Sequence, residues 1–113
     1  MNHMTDYLKN KVLVDNLSNA YVALFTDTVE ISKASYKRMP VTFITPVEGQ
    51  TSNTTDILFP IATEAWGDIA NIGLYDAPAG GNLLFKSPAE FVKTIDVSSQ
   101  YKIPKNYLIV RLK

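Results

Sequence analysis

The chain contains no cysteine, and its only histidine is His3. The absence of cysteine excludes disulfide frameworks, thiolate zinc sites and cysteine nucleophiles, so the hydrophobic core must stabilise the fold without covalent help. Because chain ends fray, we do not expect His3 to act as a general base or a metal ligand. These two shortages remove residue types that are frequent in catalytic and zinc-binding sites.

The chain also has no excess of charge of either sign and no long apolar run. It contains 11 basic and 11 acidic residues, whereas nucleic-acid-binding proteins use surplus lysine and arginine to neutralise phosphates. Residues 5–17 include four charged side chains, and no apolar run reaches the roughly 18 residues that a membrane helix needs. We therefore expect a soluble protein with no nucleic acid partner, no signal peptide and no membrane insertion.

No motif for phosphate binding, nucleophilic catalysis or metal coordination is present. The stretch "APAGGN" at 77–82 is followed by the apolar "LLF" and not by a helix, so its glycine pair predicts a hairpin turn. Three carboxylates near Trp66 are candidates for glycosidase-like chemistry, namely Glu64, Asp68 and Asp76. Glu64 and Asp68 flank the start of a strand and Asp76 begins a turn, where an Asp side chain caps backbone N–H groups, so we favour a structural role for all three. The sequence predicts no catalytic residue, no metal ligand and no cofactor, and hence a protein that is not an enzyme.

Most of the chain has the pattern of short β-strands. Apolar residues make up 46% of the chain, and aromatic and β-branched residues gather in runs that end in Ser, Pro, Gly or Asn. Because no helices separate these runs, they indicate antiparallel strands. We predict a mainly β fold with a single domain over 1–113, in which 1–18 hold a short N-terminal helix and 19–113 form a jelly-roll or Ig-like β-sandwich. The sandwich has about seven strands, at 19–26, 39–45, 55–61, 68–76, 83–85, 90–97 and 107–112.

The predicted helix is apolar around much of its circumference. Residues 5–17 contain no glycine or proline and begin with Thr5 and Asp6, which are good helix starters. Its apolar side chains do not gather on one narrow stripe, which indicates more than one packing surface. Either the helix lies deep against its own domain or a partner chain covers part of it. The candidate partner interface consists of Tyr7, Leu8, Val12 and Leu13.

Trp66, the only tryptophan, has two interpretations. An exposed indole would be a stacking platform for a ligand, whereas a buried one would fill the core of the sandwich. The glycine that follows it indicates close backbone approach to the ring or a bulge at the start of a strand. We prefer the core interpretation and keep Trp66 as a candidate ligand-stacking residue.

Five segments, in this order along the chain, carry a resemblance to a known family: "YVALFT" (21–26), "SYKRMPVTF" (35–43), "TSNTTDILFPIAT" (51–63), "WGDIANIGLYDAPAGGNLLF" (66–85) and "YLIVRL" (107–112). They resemble small tailed-bacteriophage virion proteins described as phage tail fibre or minor structural proteins. The resemblance spans nearly the whole chain and implies a virion component, with no catalytic residue to carry over. One difference is Ser35, which stands where the family pattern has a glycine before its Tyr-x-Arg tyrosine.

From this resemblance we predict a non-enzymatic structural component of a tailed-bacteriophage virion, in the form of a tail-fibre-associated or adaptor protein that acts through protein–protein contacts. The expected partners are other virion proteins and further copies of the chain in a homo-oligomer. The expected location is the virion, assembled in the host bacterial cytoplasm. Two alternatives stay open: a capsid decoration or head-fibre protein, and a carbohydrate-binding host-attachment module that stacks Trp66, Tyr36 or Tyr101 on a host surface glycan.

Overall fold

A computed structural model describes residues 4–112 of the chain, so His3 lies outside the described residues. Within this range one helix is followed by eight strands. These are α1 (Asp6–Leu17), β1 (Tyr21–Phe25), β2 (Met39–Pro40), β3 (Gln50–Ser52), β4 (Ile57–Leu58), β5 (Gly67–Tyr75), β6 (Leu83–Ile95), β7 (Lys102–Ile103) and β8 (Ile109–Arg111).

The helix begins where the sequence supplies a cap. The Thr5 hydroxyl accepts a hydrogen bond from the backbone N–H of Leu8 at 3.2 Å, and Asp6 places a negative charge in the first turn. One side of the helix buries Leu13 and Leu17, which are four residues apart and therefore share a face. The helix is thus anchored by a two-residue stripe and not by its whole circumference.

The largest sheet has four antiparallel strands in the order β2-β1-β5-β6. In the central strand β1, Val22 and Leu24 alternate with Ala23 and Phe25, and all four are buried. Burial on both faces explains why this strand reads as a continuous apolar run. On the face opposite Val22 and Leu24, the ring of Phe25 stacks with Tyr75 of β5, with centroids 6.4 Å apart.

Two antiparallel ribbons, β3 with β8 and β4 with β7, complete the strand pairing. Their buried side chains join one hydrophobic cluster with the sheet and the helix. The helix contributes Leu13, the sheet Val22, Leu24, Ile69, Leu74 and Ile95, the ribbons Ile57, Ile103 and Val110, and the connections Phe59, Trp66, Tyr101 and Leu108. The predicted mainly β class, with antiparallel sheets and one N-terminal helix, is confirmed.

The strand boundaries differ from the predicted ones in several places, and the strands predicted at 39–45 and 55–61 are reduced to the two-residue strands β2 and β4. The segment at 86–88, expected to be a turn, continues β6, where Ser87 pairs with Ile72 and Pro88 pairs with Asn71. Proline is tolerated there because β6 is the edge strand of the sheet and a register shift lies beside the pair. Strands β3 and β7 lie in stretches expected to be loops, since each has only two or three paired residues and polar neighbours.

Candidate interaction surfaces

The helix divides the four predicted interface residues between two sides. Tyr7 is 78% exposed and Leu8 is 45% exposed, whereas Leu13 is 1% exposed and belongs to the core. Val12 is partly buried between these sides. Val14 shares the outer side because it follows Tyr7 by two helical turns, and Met4, which is also exposed, lies just before the N-cap. We call Met4, Tyr7, Leu8 and Val14 the outer helix stripe.

The outer helix stripe is held in a fixed place by the polar side of the helix. The Asn10 side-chain oxygen accepts a hydrogen bond from the backbone N–H of Gly49 at 2.8 Å. Gly49 has a φ of +75°, and a Cβ at this position would lie 2.7 Å from Cδ of Lys9. The turn between Val47 and Gln50 therefore fits closely under the helix, and glycine is required for both conformation and space.

Trp66 lies in the core, 3% exposed. Its indole N–H donates to the Ser35 hydroxyl at 3.0 Å, and its ring meets Tyr36 edge to face at 5.5 Å. A buried indole whose N–H is hydrogen-bonded agrees with the interpretation of Trp66 as a core residue. In this conformation the indole presents no open face to a ligand.

Ser35 connects several of the residues singled out in the sequence. Besides Trp66, its hydroxyl accepts from the backbone N–H of Thr63 at 3.1 Å and donates to the carboxylate of Glu64. The Ser35 hydroxyl, together with its backbone N–H, holds the pKa of Glu64 below its ordinary value. A glycine at 35, as in the family pattern, has no side chain with which to make these contacts.

The other two candidate carboxylates are also engaged locally. Asp68 accepts a hydrogen bond from the Thr94 hydroxyl across the β5–β6 pair. Asp76 accepts from the backbone N–H of Asn82 at 2.8 Å, which lowers the pKa of Asp76. Asp76 thus caps its turn, as the sequence indicated, whereas Asp68 makes a cross-strand side-chain contact. Among residues 4–112, no group of three or more metal-binding side chains comes together.

A cluster around Arg38, which sequence reasoning missed, fixes the turn between β5 and β6. Arg38 pairs with both carboxylate oxygens of Glu30 at 2.9 Å and lies 3.6 Å over the ring of Tyr75. It also donates to the backbone oxygens of Ala77 at 3.0 Å and Gly80 at 2.7 Å. We call this group of contacts the arginine clamp. The Tyr-x-Arg motif contains Arg38, but the contacts of Arg38 were not predicted, because its partners come from separate segments.

The clamp shifts the titration of its members. Burial alone would raise the pKa of Glu30, but hydrogen bonds from Arg38 and Tyr36 hold it below its usual range. The Tyr36 hydroxyl donates to Glu30 at 2.6 Å, and burial together with that carboxylate raises the pKa of Tyr36. Tyr36 is therefore a structural residue and not an exposed stacking platform.

A groove of about 430 Å³ lies between the edge of β6 and the chain around β7 and β8. Its lining includes the buried side chains of Tyr101, Ile103 and Leu108, so Tyr101 contributes to a floor and not to an exposed platform. Tyr107, which is 65% exposed, and Ile109 also line it. We call this feature the β6 groove.

The described part of the chain includes no helix that is both long and apolar enough to cross a bilayer. A family model described as "Podophage GP4 fiber I protein gp80" matches residues 1–111 of the 113-residue chain. No curated protein matches the chain. The family match covers α1, the arginine clamp and the β6 groove.

Proposed function

The chain belongs to the podophage GP4 fibre I protein family, and from this premise we propose that it is a non-enzymatic adaptor of the fibre that acts through protein–protein contacts. As a phage fibre protein it is a structural component of the virion, and other virion proteins are its partners. The finer role as an adaptor and as a homo-oligomer is the part that we propose.

The observation that supports this proposal best is the outer helix stripe. A helix that already buries Leu13 and Leu17 in its own core has no need of further apolar side chains, yet Tyr7, Leu8 and Val14 are largely exposed on its other side. Exposed apolar residues at helical spacing are the usual means by which a helix docks, and here they flank the exposed Lys11–Asp15 ion pair. We propose that the stripe packs against the same stripe of a second copy.

Support for a non-enzymatic role comes from the carboxylates. Glu64, Asp68 and Asp76 each accept hydrogen bonds from neighbouring hydroxyl or backbone groups. Depression of the pKa of Glu64 and Asp76 favours the charged form of both groups, whereas a catalytic acid needs a raised pKa.

Light scattering over a concentration series tests the oligomer. The wild type should assemble, whereas the double variant Tyr7→Ser with Leu8→Ser should be monomeric with an unchanged circular dichroism spectrum. Val29→Ser is the matched control, because Val29 is exposed to a similar extent away from the helix. A wild type that stays monomeric throughout, or a double variant that assembles normally, contradicts the proposed helix contact.

Antibody labelling of the particle tests the adaptor role in the fibre. Label confined to the fibres or their attachment sites is expected. Label over the whole shell would instead identify a capsid decoration or head-fibre protein.

A further inference from the structure

Strand β6 has an edge that is open for pairing. It runs over 13 residues and pairs on one side with β5, in a register that is interrupted between Pro88 and Lys93, while it is the last strand of its sheet on the other side. Edge strands present N–H and C=O groups that can pair with another chain, and at Pro88 only the C=O is available. The stretch of β6 that lines the β6 groove includes Ser87, Pro88 and Lys93.

The β6 groove places apolar surface beside that open edge. Its floor is formed by Tyr101, Ile103 and Leu108, and its outer wall carries Tyr107 and Ile109, both more than half exposed. A strand that pairs with an edge directs alternate side chains to one face. Such a strand would have an apolar surface to receive every second side chain.

The wall of the groove is held in place by a buried asparagine. The side chain of Asn53 donates to the backbone oxygen of Pro104 at 3.0 Å and accepts from the backbone N–H of Leu108 at 2.9 Å. Asn53 is fully buried. The turn that carries Tyr107 is thereby fixed before any partner arrives, which reduces the entropy lost on binding.

The charge of the groove selects for an acidic partner. Lys93 and Lys102 are among its lining residues, and the described lining includes no carboxylate. Lys93 donates to the backbone oxygen of Gln100 at 3.3 Å, and Lys102 forms a half-exposed ion pair with Asp56 at 3.4 Å. Exposed contacts of this kind contribute little and exchange readily. Both ammonium groups are therefore available to a carboxylate.

We propose that the β6 groove binds an extended polypeptide segment of another virion protein, rich in alternating apolar and acidic residues, which adds to β6 as a further strand. The inference rests on the proposed adaptor function and names the chemistry of its partner. Apolar side chains of the segment lie on the floor, and its carboxylates meet Lys93 and Lys102. The groove and the outer helix stripe then give the adaptor two separate contact surfaces.

Selection from a display library of random linear peptides on the full chain tests this proposal. Enriched peptides should alternate apolar residues with Asp or Glu. Their affinity, measured by calorimetry, should fall about tenfold or more for Lys93→Glu and stay unchanged for Lys37→Glu, a charge reversal at an exposed lysine that does not line the groove. N-methylation of alternate peptide residues removes the N–H groups along one edge of the peptide strand. Methylation of the edge that faces β6 should abolish binding, and methylation of the other edge should leave binding intact, a difference that only strand pairing explains.

Three outcomes would overturn the proposal. They are a library with no enrichment, peptides that bind Lys93→Glu as well as the wild type, and a peptide insensitive to N-methylation on either edge. A glycan array in which acidic sugars bind the wild type and not Tyr107→Ala would assign the groove to a saccharide and likewise refute it. These readouts are independent of light scattering and particle labelling, so failure of the adaptor role and failure of the groove assignment are distinguishable.

Discussion

The turn between β5 and β6 and the β6 groove involve the same hairpin but are built in opposite ways. At the turn, the arginine clamp connects Glu30, Tyr75 and two backbone carbonyls through one side chain that is 8% exposed. In the groove, Lys93 and Lys102 have only exposed contacts and the edge of β6 is open. We call the turn with its arginine clamp the closed region, because its polar groups bind one another. We call the β6 groove the open region, because its polar groups can bind a partner.

This difference separates residues that stabilise the chain from residues that serve contacts. Across the described residues, every buried side-chain nitrogen or oxygen has a hydrogen-bond partner. In the closed region, several of these hydrogen bonds meet at the single side chain of Arg38. Removal of one member there leaves a desolvated group without its partner, which is costly. Changes at the open region should alter binding and leave the free energy of unfolding nearly constant.

The largest effect is expected for Trp66→Ala, in the core beside the closed region, where the indole packs against Tyr36. It removes a buried ring and the donor to Ser35, and should lower the free energy of unfolding by about 3–5 kcal/mol. Urea denaturation measures this. Trp66→Phe, which keeps an aromatic ring but loses the N–H, should cost roughly 1–2 kcal/mol. A loss below about 1 kcal/mol for the alanine variant would contradict the core assignment.

Arg38→Met should have the next largest effect. The substitution keeps an unbranched side chain but leaves Glu30 without its cation and two backbone oxygens without a donor, so a loss of about 2–4 kcal/mol is expected. Arg38→Lys should recover only part of it, since an ammonium group cannot reproduce the bidentate pair. If lysine restores full stability, the clamp acts through charge alone and its geometry is unimportant.

The glycine pair in the turn provides a matched test within the closed region. Gly80 and Gly81 have φ of +64° and +71°, but a Cβ at 80 meets nothing within 4 Å, whereas a Cβ at 81 lies 2.8 Å from that of Ala77. Gly81→Ala should therefore cost about 2–3 kcal/mol and Gly80→Ala about 1 kcal/mol. Equal losses in thermal or urea unfolding would show that backbone conformation decides both and that crowding is unimportant.

The turn at the glycine pair is one of the features that the sequence predicted correctly. Local signals predicted the hairpin turn, the N-terminal cap at Thr5 and the central strand β1, because each depends on residues close together in the chain. The buried position of Trp66 was the preferred of two interpretations for a similar reason, since an isolated indole beside apolar strands usually fills a core.

Features that depend on distant segments were not predictable in the same way. The continuation of β6 through Pro88 depends on its place at the edge of the sheet, which no local pattern reveals. Within the arginine clamp, the hydrogen bond from Arg38 to Gly80 spans 42 positions, and the β6 groove brings β6 beside β7 and β8, neither of which pairs with it. Tertiary arrangement, not propensity, created both.

Acid should weaken the closed region in a defined direction. The folded-state pKa of Glu30 is lowered, so its stabilising contribution is full above the unfolded-state pKa of about 4.3 and is lost as the pH falls through the lower folded-state value. As the pH falls from neutral to acidic values, the wild type should therefore lose more stability than Glu30→Gln. Parallel pH profiles for the two proteins in urea denaturation would refute a role for Glu30 ionisation.

The smallest effects on stability are expected in the open region. Lys93→Glu and Ile109→Ser change side chains that are largely exposed, and each should alter the free energy of unfolding by no more than about 0.5 kcal/mol. Ile103→Ser, on the buried floor of the same groove, should instead cost more than about 2 kcal/mol. Urea denaturation of the three variants thus distinguishes an open wall from a structural floor. If Lys93→Glu or Ile109→Ser destabilises as strongly as Ile103→Ser, the wall belongs to the closed region and the contrast within the hairpin fails.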